Sequence, residues 1–446
     1  MKFVQYPKYK DTPFDWIGKI PEGWEIRKIK HFAKMANGTT PDSGNERFWD
    51  GDIIWVTPAD LSQRSKYISD SRRKLTKEGY ASCGTEFVKK DSIILATRAP
   101  IGYVTMVGTK LCFNQGCKAF EIQKDFFPDY VYYYLKSFED VLISNGNATT
   151  FSELSMYDLS SFQVTMPSLD EQKQIAKYLD VQTSKIDTAI DKDRQLIVLL
   201  EEERTALINH VVTRGLDEKV KLKNSGNNWV GLIPEEWKIK RLKFITIDHR
   251  QGFYTTEDYL ENGIKMIRIT DINDFSEINL EESPCVSISD KDRIFFKVKK
   301  GDFLFVRSGA TIGKFGVFDN DSIAVFASYL IRFRFSNEIC SSFLKYVFLS
   351  SYFKEALISN FHGGANINIH AENIKEQYIV YPVIQSEQKK IAKYLDEHVS
   401  KIDETVRKIQ RRIYLLEDYK KSLINNTVTG KIDVREPNGP SSKILS

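Results

Sequence analysis

The chain of 446 residues allows about three domains of ordinary size, and its 41% hydrophobic and 28% charged residues are typical of a globular protein with several cores. A formal net charge of only +4 excludes a histone-like polybasic binder, but it leaves room for local basic faces. Five cysteines without a C-x-x-C pair argue against a disulfide framework and against a zinc site.

The first residues, MKFVQYPKYKDTPFDW, lack the apolar core of a signal peptide. No stretch of the sequence approaches the ~20 consecutive apolar residues that a membrane span requires. We therefore expect a cytoplasmic protein of several domains that has no contact with a membrane.

The sequence repeats itself once, which is the first property to settle before a fold is predicted. WIGKIPEGWEIRKIK from residue 16 matches WVGLIPEEWKIKRLK from residue 229, an offset of 213 residues. QKQIAKYLD from residue 172 matches QKKIAKYLD from residue 388, and LINHVVTRGLD from residue 207 matches LINNTVTGKID from residue 423, both with an offset of 216. Each half thus has an opening segment, a divergent block and a closely kept helical segment. Gene duplication explains this pattern, and it favours one scaffold that carries two different readers.

The two divergent blocks, roughly residues 16–165 and 229–380, have the mixed pattern of an α/β (α+β) fold. Runs of β-branched and aromatic residues predict short strands at 52–57, 92–97, 264–270, 302–307 and 323–335. Helices are predicted at 129–144 and 341–359. Between them lie loops rich in Gly, Asn, Ser and Thr at 37–45, 144–152 and 361–370. Such loops suit polar binding contacts and are equally common in ordinary turns, so their composition leaves both interpretations open.

The closely kept segments have the apolar spacing of long coiled-coil helices. Asp170–Val211 would span about 63 Å at 1.5 Å per residue. Polar residues interrupt the seam at matching places, Gln182 with His398 and Arg204 with Lys420. We expect an antiparallel pair that acts as a spacer; two unrelated core helices are the alternative. The predicted seam residues are Ile175, Leu179, Ile186, Ile190, Ile197, Leu200, Ile391, Leu395, Ile402, Val406, Ile413 and Leu416.

The sequence lacks the motifs that catalysis would need. There is no Pro-Pro for a nucleobase methyltransferase, and GATIGK (309–314) departs from a phosphate loop in length and in the residue that would meet Mg²⁺. We interpret it as a turn between two strands. The six histidines are scattered without ligand spacing. The chain is therefore expected not to be an enzyme and to bind no cofactor or metal.

Basic residues concentrate between residues 61 and 90, where eight Lys and Arg face three acids. Residues 238–250 form a second basic stretch, with Asp248 as its acid. Such density can neutralise DNA phosphates, whereas a solvated charged face is the simpler alternative. The candidates for phosphate contacts in the first block are Arg64, Lys66, Arg72, Arg73 and Lys74.

Reading of bases requires Arg, Asn, Gln, Ser or Thr at groove edges. The best-placed candidates are Thr97 and Arg98 in LATRAPIG and their counterparts Arg307 and Ser308 in FVRSGATIG. Asn114 and Gln115 are weaker candidates. Further candidates for DNA contact are Thr39, Asn147, Thr149, Arg250, Gln251, Arg268, Lys314, Asn366 and Asn368.

The combination of these features resembles the specificity (S) subunit of type I restriction–modification enzymes. The resemblance covers essentially the whole chain and rests on the repeated Pro-x₃₋₄-Glu-Gln-x₂-Ile-Ala-x-Tyr-Leu-Asp openings at 167–180 and 382–396, the Ile-Pro-x-x-Trp segments at 20–24 and 233–237, and FWDGDIIWVTPADL at 48–61. It implies two similar target-recognition domains separated by two antiparallel helices, with an internal pseudo-two-fold repeat. The implied divisions are a first recognition domain at 1–166, a helix at 167–215, a second recognition domain at 216–381, a helix at 382–430 and a flexible tail at 431–446.

The resemblance also implies the partners. Each domain would read one half of a bipartite double-stranded DNA target, and two methyltransferase subunits would dock on the helices, joined in some complexes by two restriction subunits. S-adenosylmethionine, ATP and Mg²⁺ would belong to these partners. A system that only methylates, or one that fuses methylation and cleavage, fits equally well, and a coiled-coil scaffold that binds protein is the alternative from another class.

Overall fold

The computed structural model describes residues 4–61, 65–98, 101–147, 154–309, 311–359 and 368–435. The chain divides into two compact units, residues 1–192 with 412–446 and residues 193–411. Each unit contains one divergent block and a part of each long helix. Among the described helices, none combines the length and the apolar character needed to cross a membrane.

The elements of the first block form two mixed sheets, two antiparallel pairs of strands and four short α-helices. Its strands are β1 (Tyr9–Lys10), β2 (Ile20–Pro21), β3 (Glu25–Lys28), β4 (Ala33–Asn37), β5 (Trp49–Val56), β6 (Tyr67–Ile68), β7 (Lys74–Leu75), β8 (Ile93–Ala96), β9 (Val104–Val107), β10 (Cys112–Phe113), β11 (Cys117–Ile122) and β12 (Gln163–Met166). Its helices are α1 (Lys77–Ala81), α2 (Pro128–Ser137), α3 (Glu139–Asn147) and α4 (Met156–Ser161), followed by the long α5 (Leu169–Arg214).

The second block repeats this plan. Its strands are β13 (Leu222–Asn224), β14 (Leu232–Pro234), β15 (Lys238–Arg241), β16 (Thr246–Gln251), β17 (Ile264–Ile267), β18 (Cys285–Val286), β19 (Phe303–Val306), β20 (Phe315–Val317), β21 (Ala324–Phe326), β22 (Leu330–Phe335) and β23 (Tyr378–Tyr381). Its helices are α6 (Asp290–Phe296), α7 (Ser341–Leu349), α8 (Ser351–Ser359) and α9 (Ala371–Lys375), followed by the long α10 (Gln385–Val428).

The main sheets of the two blocks share the order of four strands, and the first has β6 as a fifth strand at its edge. The first runs β4-β11-β8-β9-β6 and the second β16-β22-β19-β20. Ile93 pairs with Phe120 in the first sheet, and Phe303 pairs with Phe333 at the equivalent place in the second. Each block also has a smaller sheet with a parallel pair, β5 with β10 and β17 with β21. The two blocks therefore share one fold although their sequences diverge.

Four elements differ from the sequence prediction. The predicted strand 264–270 ends at Ile267, and Ile269–Asp271 form a short 3₁₀ helix. The predicted strand 323–335 is two strands, because the chain turns at Ala327, whose carbonyl accepts the amide of Leu330, and then joins a different sheet. The predicted helices 129–144 and 341–359 are each two helices. The first breaks at Phe138, which packs against Trp16, and the second at Ser350, which is buried with an extended backbone. The segment GATIGK joins β19 to β20 and forms the predicted turn. Ala310 within it lies outside the described residues.

The tail was expected to be flexible from residue 431 onward, which is wrong for its first residues. Ile432 is buried in the core of the first unit, and the amide of Asp433 donates to the carbonyl of Val4 at 2.8 Å. The last described residue is Arg435. The structure thus ties the end of α10 to the opening segment of the first block.

Within each unit, the C-terminal part of one long helix lies beside the N-terminal part of the other. In the first unit, Lys420 of α10 binds Asp187 of α5 at 2.6 Å, and in the second, Arg204 of α5 binds Asp403 of α10 at 2.8 Å. In both pairs the residue numbers sum to the same value, as they must when two helices run antiparallel in one register. The predicted polar interruptions Arg204 and Lys420 are the basic partners in these two ion pairs.

The predicted seam residues differ in burial along the helices. Ile175, Leu179, Ile391 and Leu395 are completely buried, because they enter the cores of the two blocks. Ile186, Ile190 and Val406 are also buried. Ile197, Leu200, Ile402, Ile413 and Leu416 are half-buried. The seam is thus tightest where each helix starts beside its own block.

Candidate nucleic-acid interface

Each helix is fixed to its block by a repeated set of contacts, called the helix joint below. Gln172 is buried; its Oε1 accepts the amide of Phe127 at 2.9 Å, and its Nε2 donates to the carbonyl of Pro167 at 2.9 Å. Phe127 is the N-cap of α2, so this glutamine satisfies an amide that the helix leaves unpaired. It also explains why Gln recurs in the two helix openings.

The second unit repeats the joint. Gln388 accepts the amide of Cys340, the N-cap of α7, at 2.8 Å and donates to the carbonyl of Pro382 at 2.9 Å. The neighbouring glutamates hold the opening segments: Glu171 accepts the hydroxyl of Tyr6 at 2.7 Å, and Glu387 accepts the indole N–H of Trp237 at 3.0 Å.

Two tyrosines complete the joints. The hydroxyls of Tyr133 and Tyr346 donate to Asp180 and Asp396, each at 2.6 Å. Burial raises the pKa of both phenols, and the partner carboxylates raise it further, so both hydroxyls remain protonated donors. The repeated Glu, Gln and Asp of the helix openings therefore orient each block on its helix.

Loops from distant parts of the first block meet at one end of its main sheet, called the first loop end (residues 37–40, 97–98 and 114–116). Because neighbouring strands are antiparallel, β4 and β8 finish where β11 begins. The carbonyl of Gly116 accepts the amides of Thr97 at 2.8 Å and Arg98 at 3.3 Å, and Thr40 hydrogen-bonds Gln115.

The second loop end (residues 251–252, 307–309, 327–329 and 368) is built in the same way. Arg307 donates its amide to the carbonyl of Tyr329 at 3.0 Å, and Gln251 donates through Nε2 to the carbonyl of Ser328 at 3.2 Å. Ser308 forms an antiparallel bridge with Asn368. The structure thus brings together Gln251, Arg307, Ser308 and Asn368, which the sequence suggested separately.

One glycine in each block permits this convergence. A Cβ on Gly38 would lie 2.1 Å from the carbonyl oxygen of Asn114, and a Cβ on Gly252 would lie 2.1 Å from that of Ala327. No side chain fits at such a distance, so the strand end can cross the neighbouring loop only as glycine.

The residues of the first loop end have different exposures. Asn37, Thr40, Arg98 and Gln115 are exposed and can meet a ligand. Thr97 is completely buried and donates its hydroxyl to the carbonyl of Gly116 at 3.2 Å, so it supports the loop.

Thr39 is half-buried. Its carbonyl accepts the indole N–H of Trp55 at 3.1 Å. Its hydroxyl oxygen is buried without a hydrogen-bond partner among the described residues. Because Thr39 is half-buried and Thr40 is exposed, Thr39 is the weaker candidate for direct contact.

At the second loop end, Gln251, Tyr329 and Asn368 are exposed, and Arg307 and Ser308 are half-exposed. Tyr329 is 58% exposed and lies at the place where the first block has Gly116. Such an exposed aromatic residue beside polar loops is a candidate that sequence reasoning missed, and only the strand register reveals it. Asn37 and Thr40 lie in the polar loop 37–45 that the sequence marked, but they were not singled out as individual candidates.

The basic residues of the first block fall into two groups. Lys66 is enclosed by Asp129 and Asp180 and lies over aromatic rings, so its charge is compensated within the protein. Burial lowers its pKa, but the hydrogen bonds to these two carboxylates outweigh burial, and the net pKa is raised. Lys74 pairs with Asp70 at 3.0 Å.

Arg72 and Arg73 are exposed, and each has one side-chain contact within the protein. The side chain of Arg72 is 76% exposed with its Nε 3.8 Å from a carboxylate oxygen of Asp60, and its amide donates to Asp60 at 3.0 Å, in the short helix Pro58–Asp60 that borders Gly116. The guanidinium of Arg73 lies 3.5 Å from the ring centre of Trp49. A basic flank thus adjoins the first loop end.

The second basic stretch is largely neutralised. Lys240 binds Glu338 at 2.6 Å, whereas Arg241 and Lys243 bind Glu376 at 2.8 and 2.9 Å. Hydrogen bonding to Lys240 and Lys243 lowers the pKa of Glu338 and Glu376, respectively. Counting only Asp248 as the opposing acid therefore overestimated the free positive charge here.

Three other predicted residues of the second block have protein partners. Arg250 lies over the ring of Phe295 at 4.8 Å. Arg268 binds Asp271 at 3.0 Å, and Lys314 binds Asp274 at 2.8 Å.

The predicted residues Arg64, Thr149 and Asn366 lie outside the described residues, and Asn147 is described only as the last residue of α3. Within the described part of the chain, no group of three His, Cys, Asp or Glu side chains could hold a metal ion.

These features define a protein with two similar binding domains, each presenting converged polar loops and each joined in the same way to a shared pair of antiparallel helices. The family model for the type I restriction modification DNA specificity domain matches residues 21–196 and again 234–413. The chain belongs to this family of type I restriction–modification specificity subunits, whose function is recognition of a DNA target.

Two relatives match over most of their lengths. The chain is 26% identical over 450 residues to the type I restriction enzyme MjaIX specificity subunit of Methanocaldococcus jannaschii, covering 98% of this chain and 99% of the relative. It is 25% identical over 425 residues to the EcoBI specificity subunit of Escherichia coli, covering 93% and 87%. A solved structure from work on assembly and conformational transition of the type I R-M system has the same fold, with a TM-score of 0.66, 14% identity, and coverage of 92% of this chain and 98% of that one.

Proposed function

We propose that each block reads one half of a bipartite double-stranded DNA target and that the two long helices set the length of the unread spacer. The observation that carries this proposal is the convergence of separate polar loops at the same sheet end in both blocks. Two domains that share a fold but differ in these loops are suited to reading two different sequences.

Positioning and reading would fall to different residues. Arg72 and Arg73 neutralise phosphates, which anchors DNA in a sequence-independent way. Arg98 at the first loop end, and Arg307 and Gln251 at the second, offer donors and acceptors to base edges. Ser308 and Asn368 support the second loop end and extend its polar surface.

The helices would also carry the partner subunits. Val198 and Leu199 of α5 are 53% and 59% exposed, and their counterparts 216 residues later, Tyr414 and Leu415 of α10, are 58% and 49% exposed. Large apolar side chains on the surface of a helix are typical of contact sites for another protein. Two equivalent patches would dock two copies of one methyltransferase subunit.

Chemistry would lie with the partners, and this chain would act in the cytoplasm as a non-catalytic subunit. The methyltransferase subunits would use S-adenosylmethionine on an adenine extruded from the duplex, since a stacked base is out of reach. Up to two restriction subunits would add cleavage that depends on ATP and Mg²⁺. A methylation-only or fused system would use this chain in the same way.

The experiment is a map of methylated adenine across the genome in cells that carry this gene with its adjacent methyltransferase gene, compared with cells that lack this gene alone. A split motif that appears only with this chain supports the proposal and gives both half-sites and the spacer. If no motif appears while the same methyltransferase works with another specificity chain, the proposal is wrong.

A protein-binding scaffold predicts a different result in vitro. DNA binding through several phosphates must weaken steeply as salt rises. A complex whose DNA affinity is absent or independent of salt would favour the scaffold.

A further inference from the structure

The second loop end has exposed aromatic surface that the first lacks. Tyr329 is exposed at the place that Gly116 occupies in the first loop end. Tyr254, which is also exposed, stands two residues after the crossing glycine of its strand, as Thr40 does in the first block. The first loop end thus offers hydroxyl and amide groups, whereas the second offers ring surface in addition to its polar groups.

The backbone of Tyr329 is fixed in a tight turn. The amide of Leu330 donates to the carbonyl of Ala327 at 2.9 Å, which closes the turn. The carbonyl of Tyr329 accepts the amide of Arg307 at 3.0 Å, and the preceding carbonyl accepts Nε2 of Gln251 at 3.2 Å. The ring therefore stands on a rigid support between the two residues that are best placed to read bases in this block.

The protein itself makes little use of this ring. Within the described part of the chain, the ring of Tyr329 packs on no other aromatic ring or cation, and its hydroxyl has no hydrogen-bond partner. Tyr133 and Tyr346, by contrast, are buried, and their hydroxyls bind carboxylates of the helix joints. A large aromatic side chain that stays in solvent on a rigid turn is typical of a residue that binds another molecule.

We propose that the ring of Tyr329 contacts the 5-methyl group of a thymine in the half-site that the second block reads. This inference rests on the proposed function, in which the second loop end faces base edges. The methyl group of thymine is the apolar feature of the major groove and is read by apolar side-chain surface. A half-site that holds a methylated adenine contains at least one thymine, which is the pairing partner of that adenine. Because Gly116 has no side chain, the first block lacks the equivalent contact.

The methyl contact complements the polar groups on either side of it. Gln251 and Arg307 can form hydrogen bonds to base edges, but such bonds do not distinguish thymine from uracil, because the two bases differ only in the methyl group. Removal of that methyl group therefore isolates the contribution of the ring. Burial of one methyl group against an apolar surface changes the affinity about four-fold.

The test uses the full chain assembled with its methyltransferase subunits and bound to a duplex that contains the mapped bipartite target. Deoxyuridine replaces each thymine of the second half-site in turn, which removes the methyl group and keeps the pairing with adenine. At one position, the unaltered complex should bind about four-fold more weakly. In Tyr329→Ala the same replacement should have no effect, whereas Tyr329→Phe should keep the four-fold difference because the ring remains.

Phe244→Ala is the matched control. Phe244 is 69% exposed in the same block, but it precedes β16, whereas the second loop end follows that strand. This variant should keep the full effect of deoxyuridine. Deoxyuridine in the first half-site is a second control, since its effect should be the same in the unaltered complex and in Tyr329→Ala.

Two results would overturn the inference while the unaltered complex still reads a bipartite target. One is a deoxyuridine effect in the second half-site that is absent from the unaltered complex or persists in Tyr329→Ala; if it disappears in Tyr254→Ala instead, the other ring makes the contact. The other is a Tyr329→Phe variant that binds as weakly as Tyr329→Ala, which would assign the contact to the hydroxyl. If the unaltered complex reads no bipartite target, the proposed function itself fails, and this inference fails with it.

Discussion

Arg307 is the basic residue best placed to read a base in the second block. Its backbone is fixed by Tyr329 and Ile369, and its side chain forms no ion pair within the described residues, unlike Arg268 and Lys314. Loss of one bidentate contact to a base costs about 1–3 kcal/mol of discrimination. Arg307→Ala should therefore relax or abolish recognition of one half-site and leave the other unchanged.

The measurement for Arg307→Ala is the methylation motif in cells. Lys300→Ala is the control, since Lys300 precedes β19 at the opposite end of the sheet and pairs with Asp319. Equal loss of both half-sites in Arg307→Ala would contradict the assignment of separate readers.

Gly38 and Gly252 give a second prediction at this scale. Replacement of either by Ala would force a Cβ against a carbonyl oxygen, and such overpacking costs about 1–3 kcal/mol. We expect a lower free energy of unfolding in both variants, with loss of the first half-site in Gly38→Ala and of the second in Gly252→Ala.

Denaturant unfolding of the full chain and the methylation motif together test the glycine variants. Gly23→Ala is the control, because a Cβ there meets nothing within 4 Å. Unfolding of Gly38→Ala at the same denaturant concentration as Gly23→Ala would show that the loop end tolerates a side chain.

Lys66 shows what sequence cannot predict at the residue scale. Its two acidic partners are 63 and 114 residues away in the chain, so the count of charges between residues 61 and 90 could not include them. Lys240 likewise meets Glu338, 98 residues away. Local charge counts identify basic stretches, but only the fold decides which of their charges remain uncompensated.

At the scale of the elements, the helix joint is the contact whose loss should lower the free energy of unfolding most. Gln172→Leu would remove both hydrogen bonds and leave the amide of the half-buried Phe127 and the carbonyl of the buried Pro167 without partners. An unpaired buried polar group costs about 1–3 kcal/mol. We expect Gln172→Leu and Gln388→Leu each to lower the free energy of unfolding by about 2–4 kcal/mol.

Thermal and denaturant unfolding test the joint, with Gln182→Leu as the control. Gln182 is half-exposed on the same helix, ten residues after Gln172, and takes no part in the contacts with Phe127 and Pro167. If Gln172→Leu and Gln182→Leu unfold alike, the glutamine does not hold the block on its helix.

The long helices and most strands could be predicted because their signals are local. Apolar periodicity predicted both helices, and the matched breaks at Arg204 and Lys420 indicated polar contacts in the seam. The loop ends could not be predicted as assembled sites, since Gly38, Thr97 and Gly116 meet only through sheet register. The helix breaks at Phe138 and Ser350 were missed because tertiary packing decides them.

For the whole molecule, the proposed function predicts a direct relation between helix length and spacer. Insertion of seven residues between residues 195 and 196 of α5 and between residues 411 and 412 of α10 keeps the seven-residue seam repeat. It adds about 10 Å of helix, which corresponds to about three base pairs at 3.4 Å each. The methylation motif should keep both half-sites and gain about three unread positions.

Insertion in α5 alone is the control, because it breaks the pairing of the two helices and should abolish methylation. An unchanged spacer after the double insertion would show that something other than the helices sets its length.

The mirrored ion pairs have a consequence for the ancestry of the chain. Asp187 and Asp403 are the same residue of the repeat, as are Arg204 and Lys420, and each acidic copy binds the basic copy of the other half. Before duplication, a single-repeat protein would have had both partners on one helix, too far apart to meet. They could bind only across two identical molecules. The chain thus preserves, within one polypeptide, the contacts of an ancestral homodimer whose two recognition surfaces became free to diverge once they were encoded separately.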